Sequence, residues 1–258
     1  MQTVVFFAYA DWQSGLQSIG TVGEEIKRMN LLHSILKRII RTQRKHKFVF
    51  LNQHPDIEKN CIYAVNHSCK WDCQYMMELG RGRCYILVGK QRLLLLDRIV
   101  FHLNGAVWVD RKDKVSKAAS KEKMQKVLKQ GHCLCVFPEG TWNLRPSLPV
   151  LPLYWGIVDV AKESKKPIVP MCLEYKGKEC FVKYGEAFFV SEEEDKEEVI
   201  NRLRDTFATL KWEIWEGFSV EHRQDIPKEY WEEEIKRRLR EYKKLDYEYE
   251  MSCVREER

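Results

Sequence analysis

From residue 61 to residue 184 the sequence alternates short apolar runs with longer stretches of helical period, and few architectures accept that rhythm. The apolar runs fall at 61–65, 84–88, 106–109, 133–137, 168–173 and 180–184. Between them, 71–79, 92–103, 115–130 and 153–162 read as helices. Strands separated by helices of this length predict an α/β fold, with a mainly parallel central sheet flanked by helices. Nothing repeats at a fixed period, which excludes a solenoid. With 258 residues, 44% of them hydrophobic, the chain can fill a core without disulfide or metal support.

The flanks differ from this body. Residues 24–46 carry a helical pattern, with Ile26, Met29, Leu32 or His33, Leu36 and Ile40 on one face, widened by Leu31, Ile35 and Ile39. Lys27, Arg28, Lys37, Arg38, Arg41, Arg44, Lys45 and Lys47 decorate the rest. Such a helix suits an anionic membrane surface, and it equally suits a core-packed element with a basic exterior. Residues 192–217 and 227–249 read as charged helices, packed on the body through Phe207, Leu210, Trp212, Ile214 and Trp215. The expected organisation is an N-terminal segment 1–47 with a membrane-facing amphipathic helix, an α/β domain 48–190, and an acidic helical tail 191–258.

Charge follows the same division. The tail holds 14 basic and 21 acidic side chains, so the net +6 of the chain conceals a body of net +13. A basic body predicts an anionic partner. No RRM, KH or zinc-finger signature accompanies the charge, so nucleic acid is not expected as that partner. The longest aliphatic run, 93–96, is far short of the ~20 residues needed to cross a bilayer. The N-terminus lacks the basic and apolar order of a secretory signal. Nine cysteines, an odd number scattered through apolar stretches, suit reduced thiols. The expected setting is therefore cytoplasmic, peripheral on the inner face of a membrane. Cys133 and Cys135 alternate onto one strand face as core residues do, and no paired C-x₂-C spacing occurs, so no metal site is expected.

Candidate chemistry begins at Asn66-His67-Ser68-Cys69-Lys70-Trp71-Asp72, where the chain leaves the first apolar run. Loops at the carboxyl ends of strands are where α/β sheets place ligand sites. Asp72, in the first turn of the following helix, can face back to His67, fix its tautomer and support it as a general base. An N-capping aspartate beside a loop histidine would have the same spacing. Three further segments end apolar runs in the same manner. Gly105-Ala106-Val107-Trp108-Val109-Asp110-Arg111 presents an arginine, Phe137-Pro138-Glu139-Gly140-Thr141-Trp142 forms a tight polar turn, and Val169-Pro170 sets a proline inside a strand.

In this order the segments resemble the glycerolipid acyltransferase family, the lysophospholipid and 1-acylglycerol-3-phosphate acyltransferases. Asn66, His67 and Asp72 match its Asn-His-x-x-x-x-Asp block. Gly105, Trp108, Val109 and Arg111 match the second, Phe137 to Thr141 the third, and Val169 with Pro170 the fourth. The resemblance covers about residues 60–190. It implies transfer of a fatty acyl group from a thioester, acyl-CoA or acyl carrier protein, to a hydroxyl of a lysophospholipid, with no other cofactor. His67 and Asp72 are then catalytic, and Arg111, Glu139, Gly140 and Thr141 bind the acceptor's polar head. Where the third block often continues with arginine, this chain has Trp142. Arg145 or Lys90 is the expected substitute for that phosphate clamp. Two alternatives remain: an acceptor that lacks the phosphate or bears an amine, and a nucleic-acid or lipid-binding module without catalysis. Cys69 and Cys73 flank the site, but a cysteine nucleophile is disfavoured, since Cys69 lies too close to His67 in sequence to guarantee alignment.

Overall fold

A computed structural model describes residues 22–57, 60–90, 95–144, 148–219 and 221–242. Its elements run α1 (Val22–Thr42), β1 (Lys47–Phe50), β2 (Ile62–Val65), α2 (Trp71–Leu79), β3 (Cys84–Gly89), α3 (Leu95–Asn104), β4 (Ala106–Val109), α4 (Lys114–Lys129), β5 (Cys133–Val136), α5 (Gly156–Ser164), β6 (Ile168–Lys176), β7 (Glu179–Tyr184), α6 (Lys196–Glu216) and α7 (Tyr230–Tyr242). The strands form one seven-stranded sheet in the order β1-β7-β6-β2-β5-β3-β4. Every neighbouring pair is parallel except β6 with β7.

Helices cover both faces of this sheet, so its central strands are apolar at successive residues and do not alternate with polar ones. On β2 and β5 the pleat sends Tyr63, Val65, Cys133 and Cys135 into one core, with Leu36 and Ile40 of α1 and Tyr75, Met76 and Met77 of α2. Ile62, Ala64, Leu134 and Val136 enter the other, against Met124, Val127 and Leu128 of α4, Ile157 and Val158 of α5, and Phe207 and Leu210 of α6. Cys133 and Cys135 are core residues in fact. Asp113 caps α4 by accepting from the amides of Val115 and Ser116, and Asp195 caps α6 in the same way.

Pro170 sits in an interior strand, where proline is normally excluded. Its carbonyl faces the β7 side and accepts from the amide of Gly185, just beyond the end of β7, so the one bond it cannot return falls where that pairing leaves the strand.

Three expectations need correction. β1 was not foreseen, because four residues with both ends exposed carry little pattern; it joins the sheet edge by pairing with β7. Trp212 does not pack on the body, being 61% exposed, while Phe207, Leu210 and Ile214 do. The two apolar rows of α1 also part company. His33, Leu36 and Ile40 are buried, whereas Leu31, Ile35 and Ile39 form an exposed stripe. Ile26 and Met29 have side chains outside the described residues, as do Leu93 and Leu94 as a whole.

Candidate active site

The chain leaves β2 through Asn66, whose amide side chain continues the ladder that the backbone abandons. Its Oδ1 accepts from the Leu173 amide at 2.7 Å and its Nδ2 donates to the Leu173 carbonyl at 3.0 Å. This fixes His67 at the carboxyl end of a central strand. The His67 amide donates to Glu139 Oε1 at 2.9 Å, and its carbonyl accepts from the Asn143 amide at 2.7 Å. The ring stacks on Phe137 at 4.3 Å and meets the edge of Trp142 at 6.1 Å.

Asp72 lies in the first turn of α2 and is wholly buried. Its Oδ2 accepts from His67 Nδ1 at 2.8 Å, and also from the amides of Ser68 at 2.6 Å and Cys69 at 2.8 Å. A carboxylate on Nδ1 holds that nitrogen protonated and leaves Nε2 as the basic one. The imidazole itself lines a cavity of about 1020 Å³. Leu36 and Ile40 of α1, Met77 of α2, and Val100 and Phe101 of α3 form an apolar wall of that cavity. Arg111, with Lys117 and Lys121 of α4 and Asp159 of α5, also lines it, and Lys121 is paired to Glu163.

The other expected site residues divide clearly. Arg111, Gly140 and Trp142 join His67 in lining the cavity. The Arg111 guanidinium lies over the Tyr154 ring, 5.8 Å from its centre. Gly140 adopts φ +74°, and a Cβ there would overlap the same ring, so only glycine fits.

Glu139 is turned inward. Its carboxylate is fully buried, with the His67 amide on one oxygen and the Leu151 amide on the other at 2.9 Å, so it braces the two loops. Burial pushes its pKa up, and those two amides oppose the shift. Thr141 is buried and does not line the cavity. Lys90 points to Asp110 at 3.0 Å, is 74% exposed, and also lies off the cavity lining. Arg145 is outside the described residues.

The cysteines beside the dyad are poor nucleophiles. Burial, and next the Asp72 charge, push the thiols of Cys69 and Cys73 up, so both stay protonated. One participant was missed in the sequence. Tyr175, on β6, donates its hydroxyl to Asp72 Oδ1 at 2.5 Å. It stands 103 residues from its partner, and no local spacing signals it.

Comparison with known proteins gives the family. The acyltransferase family model matches residues 35–174. A probable 1-acyl-sn-glycerol-3-phosphate acyltransferase from Mycoplasma pneumoniae is 39% identical over 74 residues, 29% of this chain and 27% of that protein. The chloroplastic 1-acyl-sn-glycerol-3-phosphate acyltransferase BAT2 of Brassica napus is 26% identical over 130 residues, 50% of this chain and 37% of that protein. The chain thus matches well under half the length of either. The crystal structure of the 1-acyl-sn-glycerophosphate (LPA) acyltransferase PlsC from Thermotoga maritima superposes with a TM-score of 0.60 at 18% identity. That likeness covers 83% of this chain and 90% of the other, and it identifies the fold.

Proposed function

The chain belongs to the acyltransferase family, and from that premise we propose that it moves a fatty acyl group from a thioester donor to a lysophospholipid hydroxyl, with 1-acylglycerol-3-phosphate as the foremost acceptor. The observation that carries this reading is the His67–Asp72 pair, 2.8 Å apart, with His67 lining a cavity that holds both apolar residues and Arg111. An acyl chain suits the apolar residues and an anionic head the arginine.

A thioester is already activated, so the residues need only prepare the hydroxyl. His67 Nε2 takes the hydroxyl proton as the oxygen attacks the thioester carbonyl. The tetrahedral adduct collapses with cleavage of the C–S bond, and the imidazolium returns the proton to the departing thiolate. Asp72 stabilises the charge that His67 carries between the two transfers. Base catalysis of this kind contributes ~10²–10⁴ in rate. No acyl-enzyme is needed, in keeping with the protonated Cys69 and Cys73.

Arg111 is assigned to the acceptor phosphate. Trp142 supports a second reading, an acceptor without a terminal phosphomonoester or bearing an amine, since an indole lines the cavity where relatives often have arginine. The exposed stripe of Leu31, Ile35 and Ile39, beside exposed Arg38 and Arg41, is assigned to an anionic membrane surface. No described helix is long and apolar enough to cross a membrane.

The deciding experiment is an acyl-transfer screen read by mass spectrometry. Acyl-CoA and acyl carrier protein donors are each offered lysophosphatidate, other lysophospholipids, glycerol phosphate and amine-bearing lipids. The expected product is phosphatidate. Acylation of none of these by the folded protein would overturn the reading.

A further inference from the structure

Tyr175 lies one residue past the segment matched to the family and outside every motif of the site. It reaches the dyad because β6 keeps its register beyond Pro170, so that Val169, Met171, Leu173 and Tyr175 share the face toward α2. Its ring packs between His46, 5.1 Å away, and Tyr75, 6.1 Å away.

Asp72 makes this contact matter. Its Oδ2 is saturated by His67 Nδ1 and two amides, whereas among the described residues Oδ1 has only the Tyr175 hydroxyl and the weak thiol donor of Cys69 at 3.6 Å. No lysine or arginine hydrogen-bonds this buried carboxylate among the described residues. A carboxylate in that position with nothing on its second oxygen would direct its full charge at the imidazole and hold it as imidazolium, which cannot accept a proton. It would also be free to swivel about its Cβ–Cγ bond.

We propose that Tyr175 is a positioning residue of the acyl transfer, which locks the Asp72 carboxylate through Oδ1 and draws charge from it. This rests on the reading of His67 as the general base. Burial, with the Asp72 charge behind it, pushes the phenol well above its ordinary range, so Tyr175 remains a donor throughout the working pH span. Among the described residues, the other titratable or charged groups facing the dyad are Cys69 and Lys70 in its loop, Cys73 and Tyr75 on α2, Cys135 on β5, Glu139 after β5, Arg111 after β4, Cys180 on β7 and His46 after α1. All of them survive the substitution that tests the idea.

That substitution is Tyr175→Phe in the full chain, assayed with acyl-CoA and lysophosphatidate. Loss of one hydrogen bond to a charged group predicts a roughly tenfold to hundredfold fall in kcat, with both KM values nearly unchanged. The acid limb of kcat/KM should move to higher pH, because the Asp72 carboxylate then turns more of its charge toward the protonated ring. In an Asp72→Asn background the same change should cost less than about twofold, since Tyr175 acts through that carboxylate. Replacement of Tyr175 by 3-fluorotyrosine keeps the packing and sharpens the donor, and it should move the acid limb to lower pH. An unchanged kcat and acid limb in Tyr175→Phe, or a full additive loss on top of Asp72→Asn, overturns the inference. If His67→Ala kept its activity, the failure would lie instead with the general-base reading.

Discussion

Strands β2, β5 and β3 carry reactive side chains at both ends, and only one end opens onto the cavity. At their carboxyl ends stand His67, the loop from Pro138 to Trp142, and the cavity. At their amino ends Cys61, Cys133 and Cys84 lie side by side in a row, placed there by the pairing of Ile62 with Leu134 and of Cys84 with Cys133. Cys133 is even held below the usual thiol range, chiefly because the Cys61 thiol donates to it. Yet all of these thiols are buried, none lines the cavity, and α1 closes over them as Lys37 donates to the carbonyls of Gly80 and Gly82. A shifted thiol without room for a second reactant is a core residue. An imidazole needs no unusual environment beyond one oriented partner and open space on its other nitrogen.

The sharpest way to break this contrast is His67→Ala. It should lower acyl transfer by roughly 10²–10⁴ and leave the melting temperature close to wild type, since the ring is held by a loop and not by a strand. Retention of activity in the folded variant would remove the carboxyl end from the chemistry. Asp72→Asn should cost less, roughly tenfold to a hundredfold, because the base survives and only its orientation and charge support are lost. A loss equal to that of His67→Ala would mean that Asp72 acts beyond orientation.

Smaller effects sharpen the picture. Arg111→Lys keeps the charge but loses the bidentate fork, and it should raise the KM for lysophosphatidate by about tenfold with little change for the donor. Trp142→Arg should then shift preference toward phosphate acceptors; if neither change moves acceptor preference, the head group is read elsewhere in the cavity. At the amino end, Cys133→Ala should leave kcat unchanged and lower stability by about 1–3 kcal/mol through lost packing. Thiol reagents should label Cys133 in denaturant and not in the native protein. A kcat lost on that substitution would erase the distinction between the two ends.

Much of this was legible in the sequence where the information was local. Six of the strands and all the body helices announced themselves through period and length, and His67 with Asp72 through their spacing at a strand end. What escaped depended on contacts between distant segments. Tyr175 reaches Asp72 only because β6 lies beside β2 in the sheet, and β1 is a strand only because β7 offers it an edge. Glu139 shows another limit. Its place in a polar turn read as a ligand, but the turn folds inward, and two backbone amides claim the carboxylate. Polarity tells that a group needs partners; it does not tell whether they arrive with a substrate or from the chain itself.

The segment shared with the family ends at Glu174, before β6 itself ends at Lys176. Glu174 itself is tied to the buried Lys211 of α6 at 3.0 Å, and the next residue is the tyrosine that holds Asp72. A chimaera spliced at that seam would inherit the dyad from one parent and its supports from another. Domain exchange among such enzymes should therefore succeed only when the joint falls after α6, with the strand, its antiparallel neighbour and the covering helix carried as one heritable block.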